Sequence, residues 1–405
     1  MVTALGSLLC GCVLGPAALR ASRIPYNEVI QRTTQEQLLL NLVRLRYREV
    51  PMFLEVGSVS AQFVFDESAD VRGTLNENVP YQPINPDVLQ LGARIGYQEK
   101  PTITFTPLQG EAFVNRLMSP LSLETILLLS RSGWRVDRVL RVTAQGMNGL
   151  DNASKASGPT PSQAPRYKRF ARVCQLLREL QRDNLLELGY ETRTTRLSDP
   201  IPAGALSSAD MVAAARDGYS FRAAEEGDGF VLMGTEQVPV WRMSPRAAES
   251  AAADEALELL GLDPQQDRFE LRVAAVQQPR SEAARGRRGT IDLSTRSLLG
   301  ALFYLSQVVE VPESHRRRGY VTTTLDEEDQ PFDWWQVMGD LLKVHCRAPP
   351  PGDAAVAVRY RGWWFYIPDD DLSSKSTFAL LGQLFALQAG GAKSVPPVLT
   401  LPVGG

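Results

Sequence analysis

Apolar residues in this chain switch repeatedly between helical and strand spacing, and no run alternates strand with helix for long enough to wind a parallel sheet. The expected class is therefore α+β, built of mixed helices and short antiparallel strands. Leu38, Leu39, Leu42, Val43 and Leu45 recur at helical spacing within residues 27–48, Pro51 ends that run, and Thr34 with Gln37 has the spacing of a capping box. Residues 53–65 carry β-branched and aromatic side chains and read as a strand. Residues 70–100 are rich in Asn, Pro and Gly and read as a long excursion that closes on a short strand at 102–106. Helical spacing returns at 108–118, 123–132 and 136–144. The stretch 152–165 holds Ser, Gly and prolines with little apolar content, which marks a boundary or flexible loop. Beyond it, Phe170, Val173, Cys174, Leu177 and Leu180 share one face of a helix over 166–183. Helices at 208–217, 245–260 and 295–308 alternate irregularly with short strands, and the Arg-Gly-rich run 278–289 reads as a loop.

The carboxyl end carries the clearest architecture. Residues 341–346, 354–360 and 363–367 read as a three-stranded meander turned by Pro349-Pro350-Pro351-Gly352 and by Arg361-Gly362. Ser373 or Ser374 is placed to cap a terminal helix whose Phe378, Leu381, Leu384 and Phe385 would pack on the meander.

With 405 residues, 44% of them hydrophobic, the chain can bury a substantial core. A formal net charge of −3 supplies no basic footprint for duplex nucleic acid, so no nucleic-acid partner is expected. Four Cys and two His cannot assemble the familiar zinc spacings, and no metal or other cofactor is expected. The phosphate-cradling loop, the dinucleotide fingerprint, the His-Glu-x-x-His helix and the Gly-x-Ser-x-Gly elbow are all missing from the sequence.

Catalytic residues are therefore not assigned, and a few groups stand out as candidates for other roles. His315 lies in Glu313-Ser314-His315-Arg316-Arg317-Arg318, a charge run that reads as a solvated basic loop. Strand alternation places His345 and Cys346 on opposite faces, which argues against a nucleophilic pair. Cys174 and Cys346 both fall on expected core faces; an oxidising compartment would allow a disulfide between them, and two buried thiols are the simpler account. Trp363 and Trp364, within an aromatic run beside Arg361, are the candidates for ligand stacking, and alternation sends them to opposite faces. The acidic runs at 326–329 and 369–371 read as a turn and a helix start.

Met1 to Leu19 contains no charged residue, but Gly6, Gly11, Gly15 and Pro16 interrupt the run and weaken it as a bilayer span. Leu9-Cys10-Gly11-Cys12 resembles the lipobox of bacterial lipoproteins, in which a branched residue at −3 and a small one at −1 precede the acylated Cys. That resemblance implies lipidation at Cys12. No Lys or Arg precedes the apolar run, so the true start is expected further upstream. The segments Leu39-Leu40-Asn41-Leu42-Val43-Arg44-Leu45-Arg46-Tyr47 and Leu399-Thr400-Leu401-Pro402-Val403 look like those of a group of Gram-negative envelope lipoproteins of unassigned activity. Val13 in place of Asp after the acylated Cys then implies outer-membrane sorting, with the body facing the periplasm. The expected organisation is a signal segment at 1–11, a tether at 12–25, an N-terminal α+β domain at 26–150, a linker at 151–166 and a C-terminal α+β domain at 167–405. The expected function is that of a lipid-anchored interaction or scaffold component with an envelope protein partner. The alternatives are a periplasmic carboxylate-dependent hydrolase of cell-wall glycan, or a glycan- or peptide-binding module using Trp363 or Trp364.

Overall fold

A computed structural model describes residues 7–74, 88–154, 156–158, 164–224, 229–274 and 289–389, with side chains described outside 7–22 and 60–101. It confirms an α+β mixture, and the chain divides into two compact units. Cys12, the expected acylation site, and the segment 399–403 fall outside the described side chains, as does the loop expected at 278–288. Among the described residues no helix is long and apolar enough to cross a membrane.

The first unit takes the early part of helix α1 (Ser7–Arg46) and the hairpin of β1 (Phe53–Thr74) and β2 (Val88–Leu108). The helix is continuous through 12–25, where a tether was expected, and it runs past the Thr34 capping position. The Thr34 hydroxyl instead donates back to the Ile30 carbonyl at 2.7 Å, as a mid-helix threonine does. Gln37 serves the hairpin: its Oε1 accepts from the Leu54 amide at 2.6 Å and its Nε2 donates to the Leu54 carbonyl at 3.0 Å. Of the excursion expected across 70–100, residues 70–74 and 88–100 are strand, because β1 and β2 pair antiparallel from Phe53↔Leu108 to Thr74↔Val88. Composition misleads there, since Gly73, Gly92 and Gly96 sit within the paired strands. The register shifts once, between Val56 and Ser58, where a Cβ on Gly57 would come within 3.1 Å of the Thr106 hydroxyl.

The second unit takes Leu38–Pro51 and Glu111–Gly391. It runs through α2 (Glu111–Met118), α3 (Leu123–Arg131), α4 (Val136–Thr143), β3 (Ala144–Met147), β4 (Leu150–Asp151), α5 (Lys168–Arg182), β5 (Leu186–Arg196), β6 (Ile201–Pro202), α6 (Ser208–Arg216), β7 (Ser220–Ala223), β8 (Gly229–Met243) and α7 (Ala251–Leu260). It continues with β9 (Arg268–Val273), β10 (Thr290–Thr295), α8 (Leu298–Ser306), α9 (Glu313–Arg317), α10 (Trp335–Met338), β11 (His345–Arg347), β12 (Ala354–Tyr360), β13 (Trp363–Pro368) and α11 (Leu372–Ala389). The larger sheet has the order β4-β3-β10-β9-β8-β5, antiparallel except for the parallel pair β9 and β10. Its core is filled by Phe170, Val173 and Leu177 of α5, by Trp241 and Phe269 of the sheet, and by Leu302 and Leu305 of α8. Each such side chain contributes about 1.5–3 kcal/mol through removal from water.

Every residue of α4 is buried, charged ones included. Arg141 meets Asp340 through two bonds of 2.6 and 2.7 Å and also donates to the Val337 carbonyl at 2.6 Å. Next to it, the start of the segment expected to be a linker is core: Asn152, Ala153, Ala156 and Ser157 are buried within the second unit. The Asn152 side chain donates to the Arg141 and Ala144 carbonyls at 2.9 and 2.8 Å, so a residue that composition reads as loop closes a polar network.

The terminal helix begins as a capped helix, although Asp371 rather than a serine does the capping. Its carboxylate accepts from the Ser374 amide at 3.0 Å and from the Ser374 hydroxyl at 2.6 Å. Those bonds outweigh burial and hold the Asp371 carboxyl below its ordinary value. Ser374 in turn accepts from the Lys343 amide at 2.8 Å, and Thr377 donates to the Leu341 carbonyl at 2.6 Å, which ties the helix to the chain entering β11.

Candidate binding face of the C-terminal sheet

The C-terminal sheet has the order β11-β13-β12, so its last strand is central. Arg361-Gly362 makes the tight β12–β13 turn because both residues adopt positive φ, 47° and 86°, as a mirror-image two-residue turn demands. The proline-rich 348–353 connection instead carries the chain across to the far edge. Alternation then sorts the residues. Val356, Val358, Phe365 and Ile367 form the buried side. On the other side lie two cross-strand rows, Arg347–Trp364–Arg359 and His345–Tyr366–Ala357.

The second row is walled by its neighbours. Trp335 sets the edge of its ring against His345 at 5.8 Å, the Tyr366 ring lies 5.8 Å from His345, and the Lys343 ammonium stands 5.3 Å from the Trp335 ring centre. Glu310 lies along β11, its carboxylate accepting from the Cys346 amide at 2.9 Å and standing 3.0 Å from His345 Nδ1. In the first row, neither Arg347 nor Arg359 has an ion-pair partner among the described residues. Two arginines therefore occupy the strand positions directly paired with Trp364, where β-carbons sit about 4.5–5.5 Å apart. The arrangement suits a ligand with a flat or apolar part for Trp364 and oxygens for two planar forks.

The sheet separates the two candidate tryptophans. Trp363 falls on the buried side, its ring 6.4 Å from His315 and near perpendicular to it, which leaves Trp364 on the open face. Cys346 lies on the Phe365 side, away from His345, and burial pushes its thiol up to about 11. Cys174 is fully buried in α5 with its thiol also raised, and both cysteines are free thiols, so the disulfide that the sequence allowed is not formed. Among the described residues no group of three or more His, Cys, Asp or Glu side chains is placed to hold a metal ion.

His315 corrects the solvated-loop expectation. It is buried at the end of α9, its Nδ1 2.7 Å from the Tyr47 hydroxyl, with Tyr320 and Trp363 around the ring. The arginines beside it in sequence face water while the imidazole turns inward, because a short helix splits the run into two faces. Desolvation, with Arg318 and Arg361 adding to it, lowers the His315 pKa below its ordinary value. The unfolded chain therefore takes up a proton first as pH falls. Stability is expected to be intact above about pH 6.5 and to decline below it. Urea midpoints measured from pH 7.5 to 5 should fall less in His315→Gln than in the native chain, and equal slopes would refute the assignment.

A separate open depression of about 610 Å³ lies between α3 and the edge strand β5, lined by Ser122, Thr125, Leu128, Arg131 and Tyr190 among others. Ser122 is spent on capping α3 and Ser132 on the Leu128 carbonyl, while Glu124 and Arg131 also line the depression.

Fold and site together define an α+β protein with a C-terminal sheet whose open side presents paired arginines around a tryptophan. Set against protein-family models, curated proteins and solved structures, the chain matches none of them. Trp364 was legible in the sequence. The Arg359 pairing was legible only through the tight turn, and the Arg347 pairing, which depends on strand order, was not.

Proposed function

We propose that the chain is a membrane-anchored envelope component that captures an anionic segment of another protein on the open face of its C-terminal sheet. The anchoring part rests on the lipobox resemblance at Cys12. The capture part rests on one observation: Arg347 and Arg359, without acidic partners, flank Trp364 across three strands. An acidic peptide laid over that row would gain charge-assisted hydrogen bonds worth about 1.5–3 kcal/mol each while covering the indole. A hydrolase working through paired carboxylates draws less support from this region, because Glu310 is committed to His345 and the Cys346 amide.

Titration with hexaglutamate and with its hexaglutamine counterpart, followed by tryptophan fluorescence, tests the reading. The acidic peptide should bind more tightly, and increasingly so at low salt. Replacing Arg347 and Arg359 together by Gln should weaken it about 10- to 100-fold, in line with the loss of one or two charged bonds. Equal affinity for the two peptides, or native affinity in the double variant, would sink the proposal.

A further inference from the structure

The hairpin of the first unit stands apart in its length. Paired strands of 22 and 21 residues are several times the usual strand length of about 5–6, and a two-stranded ribbon on its own is marginal in water. Apart from Leu54, whose amide and carbonyl are taken by Gln37, each strand has one partner along its length among the described residues, which leaves an outer edge of backbone donors and acceptors on both sides.

The register sorts its residues into two rows. One row holds Val59, Ala61, Phe63, Phe65, Ala69 and Val71 on β1, opposite Ile103, Pro101, Glu99, Tyr97, Ala93 and Leu91 on β2. The other holds Ser58, Ser60, Gln62, Val64, Asp66, Ser68 and Asp70, opposite Thr104, Thr102, Lys100, Gln98, Gly96, Arg94 and Gly92, and is polar but for Val64. The shift at Gly57 keeps the apolar row continuous, since it brings Leu54 and Val56 into phase with Val59. Where side chains are described, Leu54, Val59, Ile103 and Phe105 of this row are exposed, Phe105 by 56%, and Val56 is half-buried.

A long ribbon, apolar on one side and polar on the other, with both edges unpaired, has the pattern of a membrane-spanning barrel strand pair. From Val59 to Val71 the apolar row covers about 40 Å of strand at ~3.3 Å per residue, and a tilt of about 40° brings that close to the ~30 Å hydrocarbon thickness of a bilayer. Glu67 and Glu99 share the apolar row, and carboxylates are the less costly charges at lipid-facing barrel positions. We propose that copies of this chain join β1 to β2 edge to edge and close a β-barrel through a lipid bilayer, apolar row outward and polar row lining the lumen. Closure satisfies both edges, which neither a lone hairpin nor an open pair achieves. About eight strands is the smallest such barrel, hence four copies or more.

The test uses the full chain reconstituted into phosphatidylcholine vesicles loaded with a fluorescent dye, with the mass of the assembly measured in mild detergent. A discrete assembly of at least four copies that releases dye is expected. Phe65→Lys, in the apolar row, should cut release at least tenfold. Ser68→Lys, a matched charge in the polar row of the same strand, should retain release and favour passage of anions. A monomer in both settings, an assembly that releases no dye, or equal effects of the two variants would overturn the barrel. The reading is separable from peptide capture and from acylation: Cys12→Ser should lose acyl labelling in its host yet release dye in vesicles as the native chain does.

Discussion

Replacement of Arg296 by alanine is expected to cost about 4 kcal/mol, enough to leave much of the chain unfolded. The side chain is almost fully buried and makes no ion pair among the described residues, with Asp151 acting on it only electrostatically; its guanidinium donates to the carbonyls of Ala144 and Asn152, reaches the Arg141 carbonyl at 3.3 Å, and stacks 3.9 Å over the Tyr304 ring. Desolvation lowers its pKa to about 10, which still leaves it charged at neutral pH. The Asn152 side chain also serves the Arg141 and Ala144 carbonyls, so alanine would orphan chiefly the Asn152 carbonyl, at about 1–3 kcal/mol. Loss of the cation–π contact and an unfilled cavity supply the remainder. Lysine keeps the charge but cannot fork to separate carbonyls, and about half the loss should persist. Urea denaturation of the two variants checks the order, and an unchanged midpoint in Arg296→Ala would mean that water replaces the guanidinium.

Tyr47 is the second position where a large effect is expected. It ends the α1 helix within the second unit, with its ring 5.2 Å from Tyr360 and 6.3 Å from Phe365, the Arg361 guanidinium 5.4 Å from its ring centre, and its hydroxyl on His315. Arg361 is held there by Glu49 at 2.8 Å. Burial raises the Tyr47 phenol well above its usual value, so it stays protonated and able to bond the neutral imidazole. Tyr47→Ala should cost about 3–5 kcal/mol, as truncation of a buried aromatic does. Tyr47→Phe keeps the ring contacts and leaves His315 Nδ1 unpaired, for about 1–3 kcal/mol. A thermal melt that ranks the phenylalanine variant as low as the alanine one would place the energy in the hydrogen bond rather than the packing.

The local pattern announced many elements because their physics is local. The apolar face of α5, the apolar run of α8 and the Arg361-Gly362 turn each follow from a few neighbouring residues. The same reading failed where the decisive partner was distant. Residues 88–101 read as loop because Gly and Pro punctuate them, yet pairing with β1 outweighs that weak local preference. Asn152 reads as linker until Arg141, Ala144, Tyr304 and Arg296 surround it. His315 reads as solvated until Tyr47, 268 residues away in sequence, supplies its bond.

By itself, then, the sequence determined the α+β class, the positions of most helices, the opposite faces of His345 and Cys346, and the lipobox-like cysteine, because propensity, periodicity and turn chemistry act over a few residues. Only the tertiary structure decided that β13 is central, that Arg347 and Arg359 meet across Trp364, and that a lone arginine is tolerated in the core. Strand order and burial depend on which distant groups satisfy each other's hydrogen bonds, and that information is not carried by any single stretch of chain.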